Sequence, residues 1–131
     1  MCHRISPDYS ANTYLGIHLG TRRIAAVQLD SDLKVLHTTV VRYDVDVPEF
    51  CTVNGVNRGH SSSVYHVNPV MWVKALDILL NSLEAQGAKL HTVAAIGGTT
   101  QHHGTVYWSE LGLRRLCGLN ALFRLHEQLT D

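Results

Sequence analysis

The sequence predicts an α/β fold in the order three antiparallel strands, a helix, a buried strand and a C-terminal helix. Two patterns support this order. Residues 13–19 alternate between the two faces of a strand, and two further strand-like segments follow between short turns in residues 24–43. Residues 68–87 repeat polar side chains at every third or fourth position, which is typical of a helix. With 131 residues and 45% hydrophobic composition, the chain can bury the core of one domain.

Short turns separate the three strands of the predicted meander. The first strand runs from Thr13 to Leu19, and the turn Gly20 to Arg23 leads to the second, Ile24 to Leu29. Asp30-Ser31-Asp32 predicts the next turn. The Val- and Thr-rich segment Lys34 to Tyr43 predicts the third strand. Connections this short join neighbouring strands in antiparallel order.

A long surface loop, residues 44–67, is predicted next, because Pro48, two glycines and three consecutive serines interrupt any periodic pattern. Asn68 and Pro69 then predict the start of the helix, with asparagine as the N-cap and proline in the first turn. Gly87 is the predicted C-cap.

The helix has one narrow polar stripe on an otherwise apolar surface. Met71 and Trp72 belong to the apolar part and are predicted to pack in the core rather than to contact a ligand. A helix this apolar is expected to pack on more than one side. The stripe consists of Lys74, Asp77, Asn81 and Glu84.

The last third of the chain predicts two short strands and a divided helix. His91 to Gly97 contains a continuous apolar run of the kind buried inside a sheet. Thr105 to Trp108 predicts the second strand. Leu111 to Leu129 is predicted to be helical, with Gly118 as a break and Asn120 as a cap. The complete order corresponds to most of a ribonuclease-H-like α/β unit without its last strand.

Composition argues against several classes of function. Eleven basic residues balance eleven acidic ones, which argues against nucleic acid as a partner. No apolar run approaches the ~20 residues that span a bilayer, so no membrane association is expected. Residues 1–12, a predicted flexible tail, lack the apolar run of a secretory signal, and we expect a cytoplasmic protein. Cys2, Cys51 and Cys117 are irregularly spaced and predict reduced thiols.

Two segments are candidates for ligand binding. The first, Gly16-Ile17-His18-Leu19-Gly20-Thr21, joins a strand to a tight turn. Glycine there lets backbone N–H groups approach an anion, and the Thr21 hydroxyl can add a hydrogen bond. An ordinary hairpin also explains these residues, and on the motif alone it is the simpler interpretation.

The second segment, Gln101 to Trp108, places two adjacent histidines between the small residues Gly97 to Thr100 and a pair of aromatic side chains. A strand that ends in such a turn leaves imidazole groups at the rim of a sheet, where a polar ligand can be held. A neutral imidazole offers one donor and one acceptor, which matches a hydroxyl. The alternative for His103 is a structural or exposed histidine. One of Tyr107 and Trp108 is expected to pack under the pocket.

No metal site is predicted. His102 and His103 could combine with Cys117 or His126 to offer nitrogen and sulfur ligands. Their spacing matches no zinc pattern, so each histidine is interpreted individually.

Three segments in register resemble the eukaryotic-type xylulose kinases of the FGGY carbohydrate kinase family. They are Val47 to Phe50, Met71 to Asp77 and Gln101 to Trp108, in the same order and at similar spacing. The resemblance covers nearly everything from Tyr14 to Asp131. It implies an incomplete ribonuclease-H-like domain of the actin-like ATPase type. Residues 13–131 would form part of the N-terminal sugar-kinase domain, and the second, nucleotide-binding domain would be absent.

The resemblance implies ATP-dependent phosphorylation of D-xylulose to D-xylulose 5-phosphate, with Mg²⁺ as cofactor. In that family the segment matching Gln101, His102 and His103 lines the sugar pocket, and the residue at the His103 position binds the open-chain ketose. The Gly20-Thr21 turn resembles the first phosphate loop. We therefore expect His103 and the bend at Gly20-Thr21 to converge on one cleft.

One position departs from the family pattern. The family strand carries an aspartate where this chain has His18, and a neutral imidazole is a poor substitute near Mg²⁺. The carboxylate base that accepts the sugar hydroxyl proton is expected beyond Asp131, so no catalytic residue is assigned in this chain. Productive binding of ATP and Mg²⁺ is therefore not expected. The chain is predicted to be a truncated product of a xylulose kinase gene or relic that cannot catalyse phosphoryl transfer alone.

Two alternatives stay open. The chain could be a non-catalytic α/β module that binds sugar weakly or pairs with another chain. An unfinished sheet exposes an unpaired edge, which favours self-association. The sequence could also be part of a longer reading frame.

Overall fold

The computed structural model describes residues 12–61 and 63–129. Its strands are β1 (Thr13–Leu19), β2 (Arg23–Leu29), β3 (Val35–Arg42), β4 (Asn57–Arg58), β5 (Tyr65–His66) and β6 (Val93–Thr100). Its helices are α1 (Tyr43–Asp46), α2 (Pro69–Ala85), α3 (Glu110–Cys117) and α4 (Leu125–Leu129), with 3₁₀ turns at Pro48–Phe50 and Leu90–Thr92. Most of the predicted tail, residues 1–11 with Cys2, lies outside the described residues.

Four strands form one sheet in the order β3–β2–β1–β6. The first three strands pair antiparallel, which confirms the predicted meander. β6 pairs with β1 in parallel, with Leu15 opposite Ile96 and Leu19 opposite Thr100. A parallel neighbour requires a crossover connection, and α2 lies within that connection. The mixed sheet and its crossover helix confirm the α/β fold class.

Local sequence signals set the bounds of α2. The Asn68 side chain accepts a hydrogen bond from a backbone N–H of the first turn at 3.0 Å, which confirms the predicted N-cap. At the other end the C-cap is Gln86, so the predicted cap, Gly87, lies one residue beyond it. Gly87 has a left-handed φ of 92°. This turn lets the Ala88 N–H reach the Leu83 carbonyl at 3.0 Å.

The core lies between α2 and one face of the sheet. Met71 is fully buried, as predicted, and the half-buried Trp72 packs against the core. α2 also contacts α4, so it packs on more than one side, as its apolar surface predicts. The buried hydrophobic residues are Leu15, Ile24, Ala26, Val41, Tyr43, Val47, Met71, Ala75, Leu79, Leu83 and Ala88.

β6 is an edge strand, so the prediction of a strand buried inside the sheet is wrong. The strand begins at Val93 instead of His91, and residues 94–100 are exposed. Its alanine and glycine residues have little apolar side-chain surface to bury. No described strand pairs with its outer edge. A continuous apolar run predicts burial, but burial also requires a covering surface that composition does not reveal.

Two further predictions for the last third of the chain are wrong. Residues 105–108 form no strand, because they pair with no other strand of the described chain and lead directly into α3. Ser109 caps that helix by accepting a backbone N–H at 3.1 Å. Asn120 caps no helix, since its side chain accepts the Leu122 N–H at 2.9 Å in a turn before α4 begins. The break at Gly118, which directly follows α3, is confirmed.

Residues 44–67 are more ordered than the predicted surface loop. They contain most of α1, a 3₁₀ turn and the β4–β5 hairpin. The Asp44 carboxylate accepts a hydrogen bond from the Thr52 hydroxyl at 2.6 Å. It also accepts from the backbone N–H groups of Asn54 and Gly55, at 2.7 and 2.9 Å. These hydrogen bonds, led by the one from Thr52, lower the pKa of Asp44 below its ordinary value.

Asp44→Asn is expected to remove an acid-dependent part of the stability of the fold. Because the pKa of Asp44 is lower in the folded chain than in the unfolded chain, the ionised carboxylate stabilises the fold fully above about pH 4. That stabilisation is lost as the pH falls from there towards the folded-state pKa. Urea unfolding from about pH 7 down to about pH 3 should show a steeper loss of unfolding free energy in the unaltered chain than in Asp44→Asn.

The matched control is Asp32→Asn, at an exposed turn where the side chain forms no hydrogen bond with any residue that the structure describes. This control should keep the pH dependence of the unaltered chain. Equal pH slopes for Asp44→Asn and the unaltered chain would show that the Asp44 hydrogen bonds do not support the fold.

Candidate functional site

The candidate site lies at the end of the sheet where β1 and β6 both finish. Because these strands are parallel, their carboxyl ends meet at one edge, which is where open α/β sheets bind ligands. The pairing continues past the strands, since the Gln101 N–H donates to the Leu19 carbonyl at 2.8 Å. The turn after β1 and the turn after β6 are therefore held side by side.

A cavity of about 350 Å³ opens at this edge. The turn after β1 contributes Thr21 to its lining, and the segment after β6 contributes residues 101–106. The structure thus brings Thr21 together with Gln101, His102 and His103, while their binding of a sugar stays a prediction. The β4–β5 hairpin and the start of α2 complete the lining, with Val56, Tyr65, His66, Val67, Pro69 and Trp72.

The two histidines of the turn after β6 are available to a ligand. Both side chains are exposed, and their ring centroids lie 6.1 Å apart. Neither ring forms a hydrogen bond within the described part of the chain. His103 has a left-handed backbone with a φ of 61°. Histidine and asparagine adopt this conformation more readily than most side chains, so the residue type suits the turn.

Trp72, predicted as a core residue, also contributes to the cavity wall. Its indole Nε1 is buried and has no hydrogen-bond partner among the described residues. Buried indole N–H groups usually have an acceptor.

The remaining lining of the cavity is aromatic, aliphatic or polar and contains no Asp, Glu, Lys or Arg. This composition suits a neutral polar ligand.

Tyr107 and Trp108 do not pack under this cavity, so the expectation that one of them does is wrong. Both line a neighbouring cavity of about 280 Å³ instead. Trp108 packs on α3, where an added Cβ on Gly112 would lie 3.2 Å from the indole ring. Trp108 thus packs against α3, and Tyr107 is exposed, so neither contributes to the cavity at the end of the sheet.

His18 lies in a different cavity from the predicted sugar residues. Side chains alternate along β1, so His18 is on the sheet face opposite Leu15, in a groove of about 630 Å³. Its Nδ1 lies 2.7 Å from the Thr99 hydroxyl on β6. His18 therefore lines a different cavity from residues 101–103.

Gly20 is engaged in a tight turn. Its N–H donates to the Arg23 carbonyl at 2.9 Å, and its carbonyl accepts from the Tyr43 hydroxyl at 3.2 Å. Burial raises the pKa of Tyr43 well above its usual range, so the hydroxyl stays a neutral donor. Because its own N–H is occupied, Gly20 has no backbone donor to offer a phosphate. Thr21 is the residue of this pair that reaches the cavity at the sheet edge, and phosphate binding by either residue stays a prediction.

The described residues do not fit a Mg²⁺ site. In the part of the chain that the structure covers, no three His, Cys, Asp or Glu side chains come together as metal ligands. His18 and Thr99 offer an imidazole and a hydroxyl, whereas Mg²⁺ prefers carboxylate oxygens and water. The Nδ1 of His126 lies 2.6 Å from Asp77 Oδ2, so this histidine of α4 is paired with a carboxylate of α2.

The β4–β5 hairpin, which forms one wall of the cavity, was not predicted from the sequence. Gly55 fixes this wall against the turn after β1: its φ is 79°, and an added Cβ would lie 1.9 Å from the Thr21 carbonyl oxygen. Asn57 pairs with His66 in the hairpin ladder. The available sequence signal is the short Val-Tyr-His-Val run at residues 64–67, which is too brief to establish a period.

Comparison with known proteins identifies xylulose kinases as relatives. The xylulose kinase of Rattus norvegicus is 37% identical over 116 residues, which cover 88% of this chain and 22% of that protein. Xylulose kinase 2 of Arabidopsis thaliana is 36% identical over 128 residues, covering 97% and 22%. The probable D-xylulose kinase A of Aspergillus clavatus is 34% identical over 117 residues, covering 89% and 20%.

The chain spans about a fifth of the length of these curated relatives. No family model matches it. Among solved structures, a xyloylose kinase from Brucella ovis has a TM-score of 0.58 and 24% sequence identity, covering 71% of this chain and 17% of that one. This likeness confirms the α/β fold expected from the order of the elements.

Gly55→Ala is expected to destabilise the fold by about 3–5 kcal/mol, near the upper end for single substitutions. The substitution combines a left-handed backbone with a clash against the Thr21 carbonyl. Gly87→Ala separates the two effects, because Gly87 has a φ of 92° and open space around its added Cβ; it should cost about 1–2 kcal/mol. Gly97→Ala has neither constraint and should change stability by less than about 0.5 kcal/mol.

Urea unfolding of the three variants measures these differences. A Gly55→Ala chain no less stable than Gly87→Ala would mean that the hairpin does not pack on the turn after β1. In that case the cavity would lack its second wall.

Proposed function

We propose that the cavity at the ends of β1 and β6 binds D-xylulose. The chain is xylulokinase-like, since it is homologous to a segment of the xylulose kinases. The observation that carries the proposal is the meeting of Thr21, Gln101 and His103 at one cavity without a charged side chain. Its volume of about 350 Å³ falls within the ~300–1,000 Å³ of small-molecule sites.

The polar groups of the cavity match the chemistry of an open-chain ketose. Such a sugar presents hydroxyls and one carbonyl and carries no charge. The His103 imidazole and the Gln101 amide each combine a donor with an acceptor, and the Thr21 hydroxyl can do both. The valine and proline side chains of the lining offer apolar contact to the C–H groups of the sugar. The arrangement therefore favours a polyol over an anion or a cation.

We propose that the described residues hold the sugar without transferring phosphate to it. Phosphoryl transfer depends on positioning and on neutralising charge, and a carboxylate commonly accepts the proton of the attacking hydroxyl. No Asp or Glu is part of the described cavity lining. His18 lies in a separate groove, where it is a poor substitute for a carboxylate. ATP and Mg²⁺ are thus proposed as ligands of the full-length relatives. We propose that those relatives form xylulose 5-phosphate with ATP and that this chain does not catalyse the reaction by itself.

The proposed setting is the cytoplasm, with a small-molecule ketose as ligand and no role for nucleic acid. The free thiols of Cys51 and Cys117 are exposed, which suits a reducing compartment. No described helix has the length and apolarity needed to cross a bilayer. Basic and acidic residues balance, so the chain lacks the positive charge that nucleic-acid binding draws on.

The outer edge of β6 is a candidate surface for self-association. The strand carries no charged residue and no proline, the features that usually protect an edge strand. Ile96 at its centre is 67% exposed. Antiparallel pairing of two copies would place no like charges opposite one another, so we propose the second copy as the partner of this edge.

His103→Asn is expected to weaken D-xylulose binding by the whole chain about fivefold, because the shorter asparagine amide does not reach as far as the ring Nε2 and one hydrogen bond of ~0.5–1.5 kcal/mol is lost. Asparagine tolerates the left-handed backbone, so the turn and the stability should be retained. Isothermal titration with D-xylulose measures the affinity. His91→Asn, an exposed histidine outside the cavity, is the control and should bind like the unaltered chain.

Absence of D-xylulose binding by the unaltered chain, or equal binding by His103→Asn, would contradict the proposed site. ATP-dependent formation of xylulose 5-phosphate by the unaltered chain would contradict the proposed lack of transfer.

Ile96→Lys is expected to shift the chain towards monomer, because a lysine on an edge strand blocks edge-to-edge pairing. Val35→Lys is the matched control, since Val35 is 62% exposed on β3, the opposite edge strand. Sedimentation velocity over a range of concentrations measures the change. A monomer at every concentration of the unaltered chain, or an equal effect of the two lysines, would argue against β6 as the interface.

A further inference from the structure

The hairpin side of the cavity carries a third imidazole. His66 lies on β5 and lines the same cavity as His102 and His103. Its side chain is exposed and forms no hydrogen bond with any residue in the described part of the chain. These three imidazoles reach the cavity from two separate segments, one after β6 and one in the hairpin. His66 therefore offers a free donor and acceptor at a wall that the turn after β6 does not supply.

The wall that carries His66 is fixed to the rest of the site. Its ladder partner, Asn57, donates through its side-chain amide to the carbonyls of Phe50 and Cys51, at 3.1 and 3.2 Å. Gly55, two residues before Asn57, packs against the Thr21 backbone. The hairpin is thus tied both to the preceding 3₁₀ turn and to the turn after β1. Such anchoring lowers the entropic cost of holding a ligand with His66.

The surroundings of His66 favour a hydroxyl as its partner. A metal ion is disfavoured, because the described residues bring no three metal-ligating side chains together there. An anion is disfavoured, because no Lys or Arg lines the cavity. Tyr65, which precedes His66 on β5 and also lines the cavity, adds an aromatic surface of the kind that packs on the C–H face of a sugar.

We propose that His66 is a substrate-contacting residue that hydrogen-bonds a ketose hydroxyl from the hairpin wall. This inference rests on the proposed binding of D-xylulose in the same cavity. With His103 on one segment and His66 on another, an open-chain sugar is held at two points along its length. Two-point contact selects for a polyol over a ligand with a single hydroxyl group.

The test compares D-xylulose binding by the whole chain and three variants in isothermal titration. His66→Ala removes donor and acceptor and should weaken binding about fivefold. His66→Gln keeps one donor and one acceptor on a side chain of similar reach and should recover most of that loss. His60→Ala, an exposed histidine in the loop between β4 and β5 and outside the cavity, should bind like the unaltered chain.

Recovery by glutamine separates a hydrogen-bonding role from a role in shaping the hairpin, which glutamine would not restore. The inference is overturned if His66→Ala binds as tightly as the unaltered chain, or if His66→Gln binds as weakly as His66→Ala. Binding that is weakened by His103→Asn but not by His66→Ala removes the role of His66 and leaves the ketose site intact. An unaltered chain that does not bind D-xylulose removes both.

Discussion

The hydrogen bond from the Gln101 N–H to the Leu19 carbonyl, at 2.8 Å, is the constraint on which the site depends. It extends the parallel pairing of β1 and β6 by one residue beyond the last strand position. It fixes the first residue of the segment after β6 against the end of β1. The same strand end is held from its other side, where the Tyr43 hydroxyl donates to the Gly20 carbonyl at 3.2 Å. These two hydrogen bonds fix the backbone beside the cavity, and the positions of the lining side chains depend on that backbone.

The candidate ligand-binding side chains lie in two separate cavities. Thr21 and residues 101–106 meet at the end of the sheet, beside the hairpin that Gly55 holds in position. His18 and Thr99 meet in the groove on the sheet face. A ligand in the first place would contact neutral polar groups, and a ligand in the second would contact the His18 imidazole. Under the proposed function, sugar binding and phosphate chemistry would depend on different residues, and a change at His18 would leave the cavity at the end of the sheet intact.

Much of the fold follows from patterns that act within a few residues. The alternation in β1, the short turns between β1, β2 and β3, and the Asn68 cap of α2 are local signals, and the structure confirms them. The edge position of β6 is not local, because an alanine- and glycine-rich run is compatible with a covered or an uncovered strand. The β4 and β5 strands are two residues long each, so they are too short to show the alternating pattern that predicts a strand. His66 could not be assigned to the cavity for that reason, whereas the adjacent histidines at 102 and 103 were visible as an unusual pair.

The most direct test of the ketose site is the imidazole spectrum of the whole chain, labelled with ¹⁵N at histidine and titrated with D-xylulose. Ring signals of His102 and His103 should move with ligand concentration, because both rings line the cavity. Signals of His18 and His37 should stay in place, because these rings lie in other cavities. Unchanged signals at His102 and His103, or a movement of equal size at His18, would contradict the site described above.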